Sequence, residues 1–127
     1  RHMFRILKMT IADGETVKDF GFLAVGTTGY RYRQIFRSDL MKDISFLVNK
    51  EMDFIGEDAD FSCTDKLAFV MNCQAEKKDM NTITFDDFII WLEQFDSSTV
   101  FEHFTDFINI YLDNKESTSN PKKEIEQ

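Results

Sequence analysis

Few residues in this 127-residue chain could do chemistry. It has two histidines and two cysteines. His2 lies in Arg1-His2, which reads as a cloning scar ahead of Met3 and carries no functional weight. His103 lies alone between Glu102 and Phe104, so any Ser-His or Cys-His pair would have to be built through that one imidazole. A surface or packed role is expected for it. Cys63 and Cys73 fall at the two ends of one expected helix. Ten residues of helix span roughly 15 Å, beyond the reach of a disulfide. Two reduced thiols are therefore expected. There is no CxxC, and no zinc site is expected.

The carboxylates are numerous enough to suggest a cation site. Ile83-Thr84-Phe85-Asp86-Asp87-Phe88 resembles the end of a calcium loop and the start of its exit helix. Placing Asp87 at the bidentate position puts Lys78 and Met80 where ligand oxygens are needed, and Asn81 where the sharp turn needs Gly. Calcium is rejected on that ground. Glu57-Asp58-Ala59-Asp60 lacks both the Gly turn and a closing Glu, and reads as a solvated acidic loop. There is no GxSxG, phosphate loop, HExxH or dinucleotide fingerprint. Gly26-Thr27-Thr28-Gly29 is a turn without the Lys that a phosphate loop requires. No enzyme activity and no cofactor are expected.

Two features remain that suit partners. Arg31, Arg33 and Arg37 form a basic cluster, with Arg33 and Arg37 sharing a helix face at i, i+4. They could dock an acidic segment, or pair with Asp39, Asp43 or the acidic second half of the chain. Phe85, Phe88, Trp91, Phe95, Phe101, Phe104, Phe107 and Tyr111 concentrate aromatics near the C-terminal end. Most should be core, and an excess could line a groove for a partner helix or an oligomer contact.

The elements that must position these residues follow from periodicity. Residues 4–11 and 16–25 read as two strands of a hairpin around Asp13-Gly14, a strong turn signal. From Tyr30 the period becomes helical, with Tyr32, Ile35, Phe36, Leu40, Ile44 and Leu47 on one face. Thr27 or Thr28 could cap this stretch, and Ser38-Asp39 could cap a second helix within it. Residues 51–61 read as an acidic loop. A helix over 65–75 follows, with an N-cap offered by Ser62 to Asp65. Thr84 to Asp87 resembles a capping box opening a helix through Phe95. Asp96-Ser97-Ser98 separates this from a last helix over about 99–113. The expected fold is mainly α, with four or five amphipathic helices and a short N-terminal β-hairpin. Residues 3–114 read as a single globular domain and 115–127 as a disordered tail or linker.

Charge bounds the partners. The net charge is −8, which weighs against nucleic acid. No apolar run is long enough to span a membrane. Residues 1–50 carry nine Lys/Arg and five Asp/Glu, whereas residues 51–127 carry six and eighteen. Such asymmetry suits a charged partner or self-association.

The order of these features resembles the tail assembly chaperones of long-tailed bacteriophages. Their phrase YRxxFxxDLxxDL is matched here by Tyr32, Arg33, Phe36, Asp39, Leu40 and Asp43, with Ile44 in place of the last Leu. The later FxxWLxxFD phrase, Phe88 to Asp96, and the polar Lys-bearing end are similar to the family's second half. The resemblance runs over nearly all of residues 4–123. It implies a protein that holds the long, aggregation-prone tape measure protein while tail tube protein polymerises around it. It implies work in the host bacterial cytoplasm and absence from the mature virion. Many members are also made in a longer, frameshifted form. The contact residues expected on this reading are Arg33 and Arg37 for charge, with Phe104, Ile108 and Tyr111 for apolar contact. The alternative is a small acidic adaptor or inhibitor binding one host protein one-to-one.

Overall fold

A computed structural model describes residues 3–47 and 61–119, with side chains through Asp113. The acidic loop expected over 51–61 thus lies almost wholly outside the described residues.

The chain opens with β1 (Met3–Thr10) and β2 (Val17–Ala24), antiparallel, in a register running from Met3 opposite Ala24 to Thr10 opposite Val17. The turn is built as its sequence suggests. Gly14 takes a positive φ of 76°, which the missing Cβ permits. The Asp13 carboxylate accepts from the backbone N–H of Glu15 and Thr16, at 2.8 and 2.7 Å, and from the Thr16 hydroxyl. The Thr16 hydroxyl first, then these N–H groups, hold the Asp13 carboxyl below its ordinary value of 3.8. The folded value is the lower one, so this support is present above pH 3.8 and lost as pH falls through the folded value. An NMR titration should place the Asp13 midpoint below 3.8, with the Glu15 and Thr16 amides following it. A midpoint at 3.8 or above would mean that the turn does not stabilise the charge.

Alternation gives the hairpin one core face and one outer face. Met9, Phe22 and Ala24 are buried on the first, while Phe4, Ile6 and Val17 stand exposed on the second. Six helices follow among the described residues: α1 (Thr28–Phe36), α2 (Leu40–Ser45), α3 (Ser62–Ala75), α4 (Phe85–Glu93), α5 (Thr99–Glu102) and α6 (Phe104–Ser119). The fold is mostly helical with an N-terminal hairpin, and the helix count exceeds the expected four or five. The extra helix arises where the expected 99–113 segment breaks at His103. There the His103 N–H turns back to Val100 O, and its Nε2 reaches Lys8 O of β1 at 2.9 Å. Helix α6 runs on to Ser119, past the expected tail start at Lys115.

The α1–α2 segment resolves into two helices because Arg37 adopts a left-handed φ of 59° and Asp39 then caps α2. Asp39 accepts from the Met41 and Lys42 N–H groups. Thr84 and Asp87 form the capping box in full. Two expected caps are not made. Neither Thr27 nor Phe61, the residues at the N-cap positions of α1 and α3, gives a side-chain cap. The Thr28 hydroxyl instead accepts from Val25 N–H and donates to Gln74 Oε1 at 2.7 Å, tying α1 to α3.

Helix α3 is the axis of the molecule. Nine of its 14 residues are buried, because it packs against β2 and against every other helix. Rings surround it. Phe69 meets Phe88 and Trp91 at 5.5 Å, Phe36 meets Phe88 at 5.0 Å, and Phe22 meets Phe107 at 4.9 Å. The abundant phenylalanines are chiefly this core. Cys63 and Cys73 are both buried, and no disulfide joins them. Burial pushes the Cys73 thiol up from 9.0 to about 11. Cys73 should therefore react with a thiol reagent at pH 8 only as fast as the fold opens. Stability should also fall as pH rises from 9.0 towards about 11, where the unfolded chain releases this proton first. A rapid reaction of Cys73 in native protein would contradict both expectations.

Candidate partner-binding face

The outer face of α1 is set by what its inner face must bury. Tyr32 is fully buried, and its hydroxyl donates to Asp43 Oδ2 at 2.8 Å. Ser38 donates to the other oxygen of Asp43 at 2.9 Å. Phe36 packs against Tyr32 and Phe88, with Lys66 Nζ 5.6 Å from its ring centre. With Tyr32 and Phe36 inward, Tyr30, Arg33 and Arg37 turn outward at helical spacing.

The intramolecular partners expected for the arginines are engaged elsewhere. Asp39 is spent on the α2 cap, and Asp43 on Tyr32 and Ser38. Arg31 is held by Gln34 and Asn81, at 2.9 Å each. Among the described residues, neither Arg33 nor Arg37 makes an ion pair or a side-chain hydrogen bond. Arg33 borders an open cleft of about 190 Å³ between α1 and α2, which Tyr30, Asp39 and Met41 also line. Tyr30 is 77% exposed and Met41 46%. The cleft floor is Tyr111 of α6, which comes close because Gly29 has no side chain; a Cβ there would lie 3.1 Å from the Tyr111 hydroxyl.

The apolar half of the expected contact set needs correction. Ile108 and Tyr111 are only 5% and 2% exposed, and they belong to the core. Helix α6 lies beneath the hairpin and beside α3, so its broad apolar stripe is consumed inside. Phe104 is partly exposed, stacked at 5.1 Å on Phe101, which is itself half exposed. Phe104 lies two helical turns from Tyr111, about 10 Å along α6. Tyr30 and Met41 are surface residues that the sequence reading did not select, and Phe101, named there only within the aromatic concentration, is a third. Tyr30 had a signal: it stands at i, i+3, i+7 with Arg33 and Arg37, opposite the buried stripe.

This face sets exposed guanidinium groups beside exposed apolar side chains. Elsewhere, His103 has both ring nitrogens on structural partners, Lys8 O and the Asp106 carboxylate at 2.8 Å. Among the described residues no three metal-ligating side chains converge, and no helix is long and apolar enough to cross a membrane. Comparison of the chain with models of known families, with curated proteins and with solved structures finds no match.

Proposed function

We propose that this chain is a tail assembly chaperone of a long-tailed bacteriophage, a binding protein and not an enzyme. Its client is the tape measure protein, with the tail tube protein as a second partner. It acts in the host cytoplasm and leaves before the virion is complete. The observation that carries the reading is the pair of guanidiniums, Arg33 and Arg37, that have no partner among the described residues, on the α1–α2 segment that bears the family-like phrase, with exposed Tyr30 and Met41 lining the cleft beside Arg33. Free cations beside apolar surface suit transient capture of an amphipathic helical client, with charge steering the encounter.

Co-expression with a tape measure fragment, followed by size-exclusion chromatography with light scattering, tests this. Soluble complexes with several copies per client are expected. Arg33→Ala with Arg37→Ala should weaken the complex roughly tenfold through lost charge contacts. It should leave the thermal midpoint within about 3 °C, because neither side chain has a partner among the described residues. A client that stays aggregated would overturn the reading. So would a complex fixed at one-to-one, the signature of an adaptor.

A further inference from the structure

Among the described residues the sheet has two strands, so β1 has a second edge. Along an antiparallel strand, alternate residues turn both backbone groups to the same side. Here the even-numbered residues of β1 face away from β2. Thr10 N–H donates outward to Thr99 Oγ1 at 3.1 Å, Thr10 O accepts from Asp96 N–H at 3.0 Å, and Lys8 O is taken by His103. The α5–α6 corner thus closes the far half of the edge. The near half stays open: no hydrogen bond covers the outward N–H and C=O of Phe4 and Ile6 among the described residues. Their side chains are also the exposed apolar pair of the outer face, at 49% and 59%.

Below this open stretch runs a groove of about 290 Å³ between β1 and α6. Leu7 and Ile110 line it, with the carboxylates of Asp106 and Asp113 and the side chain of Arg5. Arg5 is exposed and makes no ion pair among the described residues. An occupant of this edge must be extended and apolar on its outer side, with a cation on its inner side to meet the carboxylates. β1 of another copy meets all three conditions.

We infer that two copies of this chain associate through their β1 edges, antiparallel about Arg5, to form a four-stranded sheet. This register sets Phe4 opposite Ile6 of the second copy, and Ile6 opposite its Phe4. The outward N–H and C=O groups of Phe4 and Ile6 are then all paired, and none of the closed groups is needed. The four apolar side chains cover one another on the outer face. Arg5 of each copy enters the groove that holds Asp106 and Asp113 of the other. Those carboxylates offset the meeting of two arginines at the twofold axis. The contact is self-complementary, as a twofold interface must be, and it removes an open edge of the kind proteins generally protect.

Sedimentation velocity over a concentration series tests this, with hydrogen exchange of the Phe4 and Ile6 amides. A monomer–dimer equilibrium is expected, with those two amides protected as the dimer forms. Ile6→Lys places like charges on the shared face and should weaken the dimer at least about tenfold. Its thermal midpoint, measured at a concentration where both proteins are monomeric, should be unchanged, because Ile6 is exposed. Arg5→Glu should also weaken it, and adding Asp106→Lys and Asp113→Lys should restore it. A chain that stays monomeric would overturn the inference, as would a dimer indifferent to Ile6→Lys. Protection of the Phe4 and Ile6 amides only in the presence of a different protein would overturn it too, assigning the edge to that protein.

Discussion

Replacing Asn72 by Ala should destabilise the fold by about 3–5 kcal/mol, the largest loss expected from any polar residue here. Asn72 sits in the middle of α3 and is only 2% exposed. Its Nδ2 donates to Gly21 O at 2.8 Å, and its Oδ1 accepts from Trp91 Nε1 at 2.9 Å. One side chain therefore joins β2, α3 and α4. The Ala variant leaves an indole N–H and a strand carbonyl without partners, each costing about 1–3 kcal/mol, and opens a small void. Against a total stability of about 5–15 kcal/mol this is a large share. Urea denaturation should show the midpoint falling by roughly 2 M with the slope little changed. Asn72→Asp separates the two contacts. It keeps an acceptor for Trp91 but turns an oxygen towards Gly21 O, so at pH 7 it should be no better than Ala. It should recover as pH falls and its carboxyl regains a donor. A loss under about 1 kcal/mol for the Ala variant would mean that water replaces the side chain.

The second large effect divides the family-like phrase into parts that hold the fold and one that does not. Tyr32→Ala should cost about 3–5 kcal/mol, since a fully buried ring is removed. Tyr32→Phe should cost about 1.5–3 kcal/mol, for a single bond to a carboxylate. Asp43→Ala should cost about 2–4 kcal/mol, because it frees both the Tyr32 and Ser38 hydroxyls. A double-mutant cycle between Tyr32→Phe and Asp43→Asn should give a coupling of about 1–2 kcal/mol. Asp39 caps α2, and Phe36 and Leu40 pack inside. Of the six matching residues only Arg33 has no part in this corner. Its substitution should be silent in stability and visible in client binding. Additive effects at Tyr32 and Asp43 would show that the bond contributes nothing by itself.

What the sequence revealed was local. Asp13-Gly14, Asp39 and the Thr84–Asp87 box each depend on neighbours a few residues away, and each forms. What it concealed depends on distant chain. Helix α3 is buried on most sides, so no single stripe announces its place at the centre. Asn72, a polar residue within that helix, has no local mark distinguishing it from a solvated one. Thr28 reads as a cap, but its hydroxyl is claimed by Gln74, 46 residues on. At the candidate face the arginines were legible from spacing. Ile108 and Tyr111 were misplaced because the stripe on α6 is broad enough to serve two surfaces, and the hairpin with α3 takes both.

The closure of the β1 edge by the α5–α6 corner has a consequence for synthesis. Thr10 is satisfied by Thr99 across 89 residues, and Lys8 by His103 across 95. The hairpin leaves the ribosome well before α5 and α6, and its outer edge is thus completed only when they follow. At roughly 5–20 residues per second, the hairpin waits on the order of 5–20 s before its covering helix is even polymerised. Throughout that interval the nascent strand shows its whole outer edge and its apolar core face, Met9 and Phe22 included. Long-range contacts of this kind also slow folding after release. Any product truncated before residue 99 would carry that bare edge permanently. Such fragments should be cleared by proteases or bound by the host's general chaperones, however intact their helices.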